Sequence, residues 1–201
     1  YLDQSIPPER LQAMIDWANI RQQAIDDAKA ATAHSDVNVW FYLEANKMDW
    51  ARDGDICVTN TVIPVMPQLD FISFSSYSLH KDGGFTADET QMHSDLNILQ
   101  SRIDAKPDPS ILGSRLIIGE YGFQFGNTGR FADFEEHAQE HVTSLRNFLS
   151  WQGGTLRFIL QWQFYSRQVT EADVPYEMCQ ISELYEIRPP YYLHENFYIG
   201  M

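Results

Sequence analysis

The chain is short of basic residues, of cysteine and of long apolar runs. Lys and Arg total 14 against 28 Asp and Glu, for a formal net charge of −14. A surface of that sign repels phosphate backbones and anionic headgroups, so neither nucleic acid nor membrane is expected as a partner. Two cysteines, Cys57 and Cys179, are too few for a disulfide framework and lack metal-ligand spacing, so they read as buried thiols. No apolar run approaches the roughly 20 residues that a membrane span needs. The opening, YLDQSIPPER, is polar and lacks the pattern of a secretory leader. Low-complexity tracts and close sequence repeats are missing as well.

What is present is a globular composition, 44% apolar and 13% aromatic, in 201 residues. That length suffices for a single domain, residues 1–201, with a sizeable core. Helical signals alternate with short apolar runs. After Pro7-Pro8, the spacing of Leu11, Met14, Ile15, Ala18, Ile25 and Ala28 predicts a helix to about Ala33. VNVWFYLE (37–44) is β-branched and aromatic and reads as a strand. Residues 45–70 hold a turn at Asp53-Gly54, prolines at 64 and 67, and room for a short helix. FISFSSYS (71–78) is the second strand. A helix follows from Asp88 to Ala105, with Met92, Leu96, Leu99 and Ile103 on one face. RLIIGEY (115–121) is the third strand. Phe131, Phe134, Ala138, Val142, Leu145 and Leu149 form the clearest helical stripe, ended by Gly153-Gly154. LRFILQWQFY (156–165) is the fourth strand.

Strands that alternate with helices imply βαβ units, right-handed crossovers and a parallel sheet buried on both faces, an α/β fold of (β/α) repeats. Ligands of such folds bind beyond the carboxyl ends of the strands. Each strand here ends on groups suited to chemistry or to sugar-like ligands: Glu44 with Asn46, Tyr77 leading to His80, Glu120 with Tyr121, and Gln161, Trp162 and Gln163. One strand-end acid more often caps a helix or pairs with an arginine, and a strand tyrosine or tryptophan is more often core. Four successive strands ending this way on one rim is the coincidence that points to a site. Alternation turns part of Gln161–Gln163 away from it.

Other motifs carry less. HAQEH (137–141) matches an inverted zinc-protease pattern, but Glu140 points away from the apolar stripe of a crossover helix. DWARDGD (49–55) lacks the spacing of a calcium loop, and DGGF (82–85) lacks the length and lysine of a phosphate loop. No metal and no cofactor is expected.

LIIGEYGF and, about forty residues later, FILQWQFY resemble the last two strands of clan A glycoside hydrolases. IDWANIRQQAIDDAKA and FYLEANKMDW also look like a bacterial branch of such (β/α)8 barrels. The resemblance implies a TIM-barrel type fold and hydrolysis of β-linked glycosides with retention. It places the catalytic nucleophile at Glu120, a hydroxyl beside it at Tyr77 and a sugar-stacking ring at Trp162. Asn46, His80, Tyr121, Gln161 and Gln163 become candidate substrate-binding residues. The clan's acid/base glutamate ends the fourth strand after an asparagine, whereas Glu44 follows Leu43 and, counted back from Glu120, ends the fifth. Glu44 is therefore expected in binding, with the acid role as its alternative. A strand hidden at 56–66 would change the count but leaves too short a crossover before residue 71.

A complete barrel of this type takes about 250 residues. The expectation is thus a partial barrel of four parallel strands, the C-terminal half, with the acid/base on a missing N-terminal half and no activity from this chain alone. The missing half, or a half-barrel homodimer, would cover the open sheet, and the substrate would be an oligo- or polysaccharide, which suits an extracellular or periplasmic protein. A catalytically inactive carbohydrate-binding barrel relative is the alternative. A barrel enzyme using Glu120 as a general base on a non-sugar substrate is a third reading.

Overall fold

A computed structural model of the chain describes residues 4–31, 39–76, 88–107, 113–121 and 134–161, without the side chains of 134–138 and 161. Helix α1 spans Pro8–Ala31, strand β1 Tyr42–Ala45 and helix α2 Met48–Asp53. A π-helical turn, Val58–Val62, and a 3-10 turn, Ile63–Val65, lead to strand β2, Phe71–Ser75. Helix α3 is Glu89–Asp104, strand β3 Leu116–Tyr121, helix α4 Phe134–Leu149 and strand β4 Ile159–Gln161.

The strands form one sheet in the order β1-β2-β3-β4, and every neighbouring pair is parallel. Tyr42 lies against Phe71, Ile72 against Leu116, and Ile118 against Ile159. Each crossover runs through helix, as parallel pairing requires. One face of the sheet carries Ile72, Phe74, Leu116 and Ile118, all buried in the main core. The α3 face predicted from spacing, Met92, Leu96, Leu99 and Ile103, packs there, with Phe148 of α4. Asp88 caps α3 by accepting from the Gln91 N–H at 3.2 Å, the orphan donor that an aspartate at this position satisfies. Phe71, Ile117 and Trp40 form a smaller cluster on the opposite face, where Tyr42, Phe158 and Leu160 are about half exposed.

The N-terminal ends of the strands are tied by two charged residues. Asp70 Oδ2 accepts from the Phe41 N–H at 2.8 Å and from Gln22 Nε2 at 3.1 Å, with Lys29 Nζ 3.7 Å away. Arg115 donates to the carbonyls of Asp70 (2.9 Å), Ile103 and Lys106 (both 3.4 Å) and Leu69.

Residues 56–66 hold helical turns and no strand, as the short crossover before residue 71 implied, so β1 and β2 are neighbours in chain order as well as in the sheet. Other expectations shift. The strands are shorter than their apolar runs; β1 begins only at Tyr42 and β4 has 3 residues. Among the described side chains of α4 the buried apolar positions are Val142, Leu145 and Phe148, while Leu149 is 50% exposed, because three-residue steps keep Phe148 on the core side. Gly153 and Gly154 do not cap this helix. They let the chain close over Trp151: a Cβ at Gly153 would stand 2.0 Å from Asn97 Oδ1, and one at Gly154 2.7 Å from a Trp151 ring carbon. Cys57 is a buried free thiol as expected, and burial pushes its pKa up; Cys179 lies outside the described residues.

Candidate active site

The carboxyl end of β3 departs from regular alternation. Phe74 pairs with Ile118, yet the next residue, Ser75, pairs with Glu120. Strand β3 thus spends two residues where β2 spends one, which is the geometry of a β-bulge. The same irregularity recurs toward β4, between Ile118 and Tyr121. Without it, Glu120 would face the helices beside Ile118. With it, Glu120 turns to the face that carries Ser73 and Ser75, and Tyr121 turns to the helices instead.

Gly119 is the residue that permits this. A Cβ there would lie 2.0 Å from Ser73 Oγ and 3.3 Å from Glu44 Oε2. No other residue leaves the Ser73 hydroxyl in place. The glycine of LIIGEY is therefore a close-approach residue directly over the site.

Two carboxylates meet beneath it. Glu44 is in register with Ser73 on β2. The Ser75 hydroxyl hydrogen-bonds Glu44 Oε1 and lies 3.3 Å from Glu120 Oε2. Ser73 and Ser75 are both buried. Burial raises the pKa of Glu44 above its ordinary value, and the charge of Glu120 adds to the rise, against the opposing hydrogen bonds of Ser73 and Ser75. A carboxyl whose proton affinity is raised beside another carboxyl is suited to general acid–base work.

The site therefore brings together Glu44 and Glu120 from among the predicted residues. Asn46 follows β1 at the same end, half-buried. Tyr121 is not brought to the pair: it is 3% exposed and packs edge-on against Phe148 at 5.6 Å and near His141 at 6.1 Å on the α4 side. Gln161 ends β4 in register with Tyr121, but its side chain is outside the described set. Tyr77, His80, Trp162 and Gln163 also fall outside the described residues. Sequence reasoning passed over Ser73, Ser75 and Gly119. The available signal was small polar residues at alternate positions of FISFS, inside an otherwise apolar strand, facing a glycine that precedes the acid. Among the described residues no group of three or more His, Cys, Asp and Glu is placed to hold a metal ion. His141 of the zinc-like motif is buried beside Tyr121, on the far side of the sheet from the two glutamates.

No protein-family model matches this sequence, and no curated protein matches it. Solved structures do match in fold. A β-glucuronidase from Ruminococcus gnavus, in complex with an N1-substituted uronic isofagomine, superposes at a TM-score of 0.58 with 12% identity, over 98% of this chain and 30% of that one. The same enzyme with D-glucuronic acid gives 0.50 with 14% identity, over 69% of this chain and 24% of that one. A β-glucuronidase from Faecalibacterium prausnitzii gives 0.50 with 13% identity, over 83% and 26%. The chain spans less than a third of the length of each. It is an α/β protein with a four-stranded parallel sheet and flanking helices, and its structural neighbours are glycoside hydrolases of the TIM-barrel type.

Proposed function

We propose that residues 1–201 are the C-terminal half of a retaining β-glycosidase barrel, with Glu120 as the nucleophile and Glu44 as its proton-carrying partner. The observation that supports this is the meeting of two carboxyls at one serine hydroxyl, at the carboxyl ends of parallel strands. Retaining enzymes hold their carboxyls about 5–5.5 Å apart, inverting ones about 6.5–9.5 Å apart. A pair in contact with a single hydroxyl fits the closer class. The raised proton affinity of Glu44 supports its role as the acid; a carboxyl from a missing N-terminal half, with Glu44 in binding, is the alternative.

In this reading Glu120 attacks the anomeric carbon as the bond to the leaving oxygen breaks, and Glu44 gives that oxygen its proton. Glu44, now ionised, then takes a proton from the water that releases the sugar from Glu120. The Tyr77 hydroxyl would orient Glu120, and Trp162 would stack on a pyranose. Asn46, His80, Gln161 and Gln163 would serve the sugar hydroxyls. An N-terminal half of the barrel is the partner favoured by the half-exposed Tyr42, Phe158 and Leu160 on the inner face, ahead of a homodimer of half barrels.

The test is trapping. The protein carrying this chain is incubated with activated 2-deoxy-2-fluoro β-glycosides, neutral and uronic, and its peptides are analysed by mass spectrometry. A sugar attached to Glu120, and none in Glu120→Gln, is the expected result. A label on any other residue, or hydrolysis that survives Glu120→Gln, removes Glu120 from the mechanism. Saturable oligosaccharide binding without labelling or turnover identifies an inactive carbohydrate-binding relative.

A further inference from the structure

Strand β1 is paired on one side only, with β2, among the described residues. Tyr42 stands opposite Phe71, and the Phe71 N–H donates to the Phe41 carbonyl at 3.0 Å. Alternation therefore turns the backbone groups of Leu43 toward β2 and those of Tyr42 and Glu44 toward the open edge. Such an edge is a template for a further strand. Helix α1 flanks it with two apolar faces. Leu11, Ile15, Ala18 and Ile25 pack on the main core, whereas Met14, Trp17 and Ile20, at three-residue steps, are exposed. Between helix and strand runs a groove of about 350 Å³, lined by Met14, Trp17 and Arg21 on α1 and by Tyr42 and Glu44 on β1.

We infer that this edge and groove receive one parallel strand of the same polypeptide, the strand whose crossover helix is α1. Helix α3 leads from β2 to β3 and α4 from β3 to β4, each a single step along the sheet, and both pack on the core face where α1 also packs. Helical connections between parallel strands keep one hand. A helix on that face that leads into β1 therefore comes from a strand one place before β1, beside Tyr42 and Glu44. At a spacing of about 4.8 Å this strand turns alternate side chains toward Met14 and Trp17 in the groove, and the others toward the inner face. One of the latter stands next to Glu44, on the side away from Ser73, and completes the wall of the carboxyl pair. A second copy fits less well: its strands bring crossover helices of their own, and α1 already holds the position over this edge. The docked strand deepens the half-barrel reading and rests on it, but no sugar chemistry enters.

The experiment uses the protein that carries this chain, with a benzoylphenylalanine photo-cross-linker in place of the half-exposed Tyr42 and mass spectrometry to map its attachments. Attachment within the same molecule to residues that precede Tyr1 is the expected result. Attachment to a second molecule or to residues 162–201, or attachment confined to β2, overturns the docked strand. Amide hydrogen exchange of the unaltered protein gives an independent reading. Tyr42 and Glu44 should exchange within about tenfold of Leu43 and Ala45, whose amides face β2. Faster exchange at Tyr42 and Glu44 means an open edge and overturns the docked strand; protection lost on dilution assigns the edge to a second copy and overturns it as well. No glycoside takes part in either measurement. A docked strand without labelling of Glu120 removes the glycosidase and keeps the strand; labelling with an open edge does the reverse.

Discussion

The two ends of the sheet treat buried acids in opposite ways. At the N-terminal end Asp70 accepts two hydrogen bonds and has Lys29 at 3.7 Å, while Arg115 gathers four backbone carbonyls from the segments that enter β2 and leave α3. Charge there is matched and serves to close the fold. At the carboxyl end, Glu44 and Glu120 share a serine, and among the described groups that shift Glu44 none is a cation. A fold selected only for stability gains nothing from such a pair, because like charges at close range in partial burial oppose one another. The contrast separates a charge-matched end that closes the fold from a carboxyl end where two acids crowd one hydroxyl, the end at which parallel barrels place their ligands.

The largest test of this contrast is at the scaffold end. Arg115→Ala removes a donor from four carbonyls near the strand entrances and should lower unfolding free energy by about 2–4 kcal/mol, read from urea denaturation. A loss as small as that of a typical exposed arginine would erase the claimed difference between the ends. Gly119→Ala comes next. Its Cβ would enter the space of Ser73 Oγ, so a destabilisation of about 1–3 kcal/mol is expected, together with loss of the Glu44–Ser75–Glu120 contacts. Adding Ser73→Gly should restore part of the stability. Restoration of none would mean that the bulge itself, and not the serine, demands glycine.

Asp95 stands between the two cases, because it is fully buried and yet paired with Arg52. Burial outweighs the arginine, and its pKa is pushed up from 3.8 to about 6. A folded-state pKa above the unfolded one contributes stability that is complete below pH about 4 and lost as pH rises through about 6. Stability should therefore fall by about 1–2 kcal/mol between pH 4 and 7 from this group, and Asp95→Asn should flatten that part of the profile in urea melts. A profile that instead rises over this range would show that the Arg52 partnership dominates.

The smallest effect belongs to the carboxyl end. Glu120→Gln removes the charge that crowds Glu44 and should leave the unfolding free energy unchanged or raise it slightly, by less than about 1 kcal/mol, while abolishing glycoside cleavage if the proposed function holds. A large loss of stability would make Glu120 a scaffold residue like Arg115.

Much of this architecture was legible beforehand, for local reasons. Residues Met92, Leu96, Leu99 and Ile103 repeat at helical spacing, and α3 falls within a residue of its expected ends at Glu89 and Asp104. LIIGEY is a strand because an apolar run between a helix stop and an acid has few other uses in this order of elements. Glu44 and Glu120 were legible as strand-end acids, but their meeting was not. Simple alternation sends Glu120 to the same side as Ile118 and Tyr121 to the other. Both assignments reverse at the bulge, and a bulge depends on the register of the neighbouring strand. Ser73 and Ser75 were hidden for the same reason: a serine in a strand says nothing until the residues across from it are known.

The amino-acid order by itself determined the alternation of helix and strand, the parallel sheet and the strand ends on which Glu44 and Glu120 sit. Those features follow from periodicity and connection length, which are properties of neighbours along the chain. Only the tertiary structure decided that Gly119 leaves room over Ser73, that Glu120 rolls inward, and that one hydroxyl lies between two acids. Those outcomes are set by contacts between residues 31 to 46 positions apart, where side-chain volume and register, not local preference, choose the arrangement.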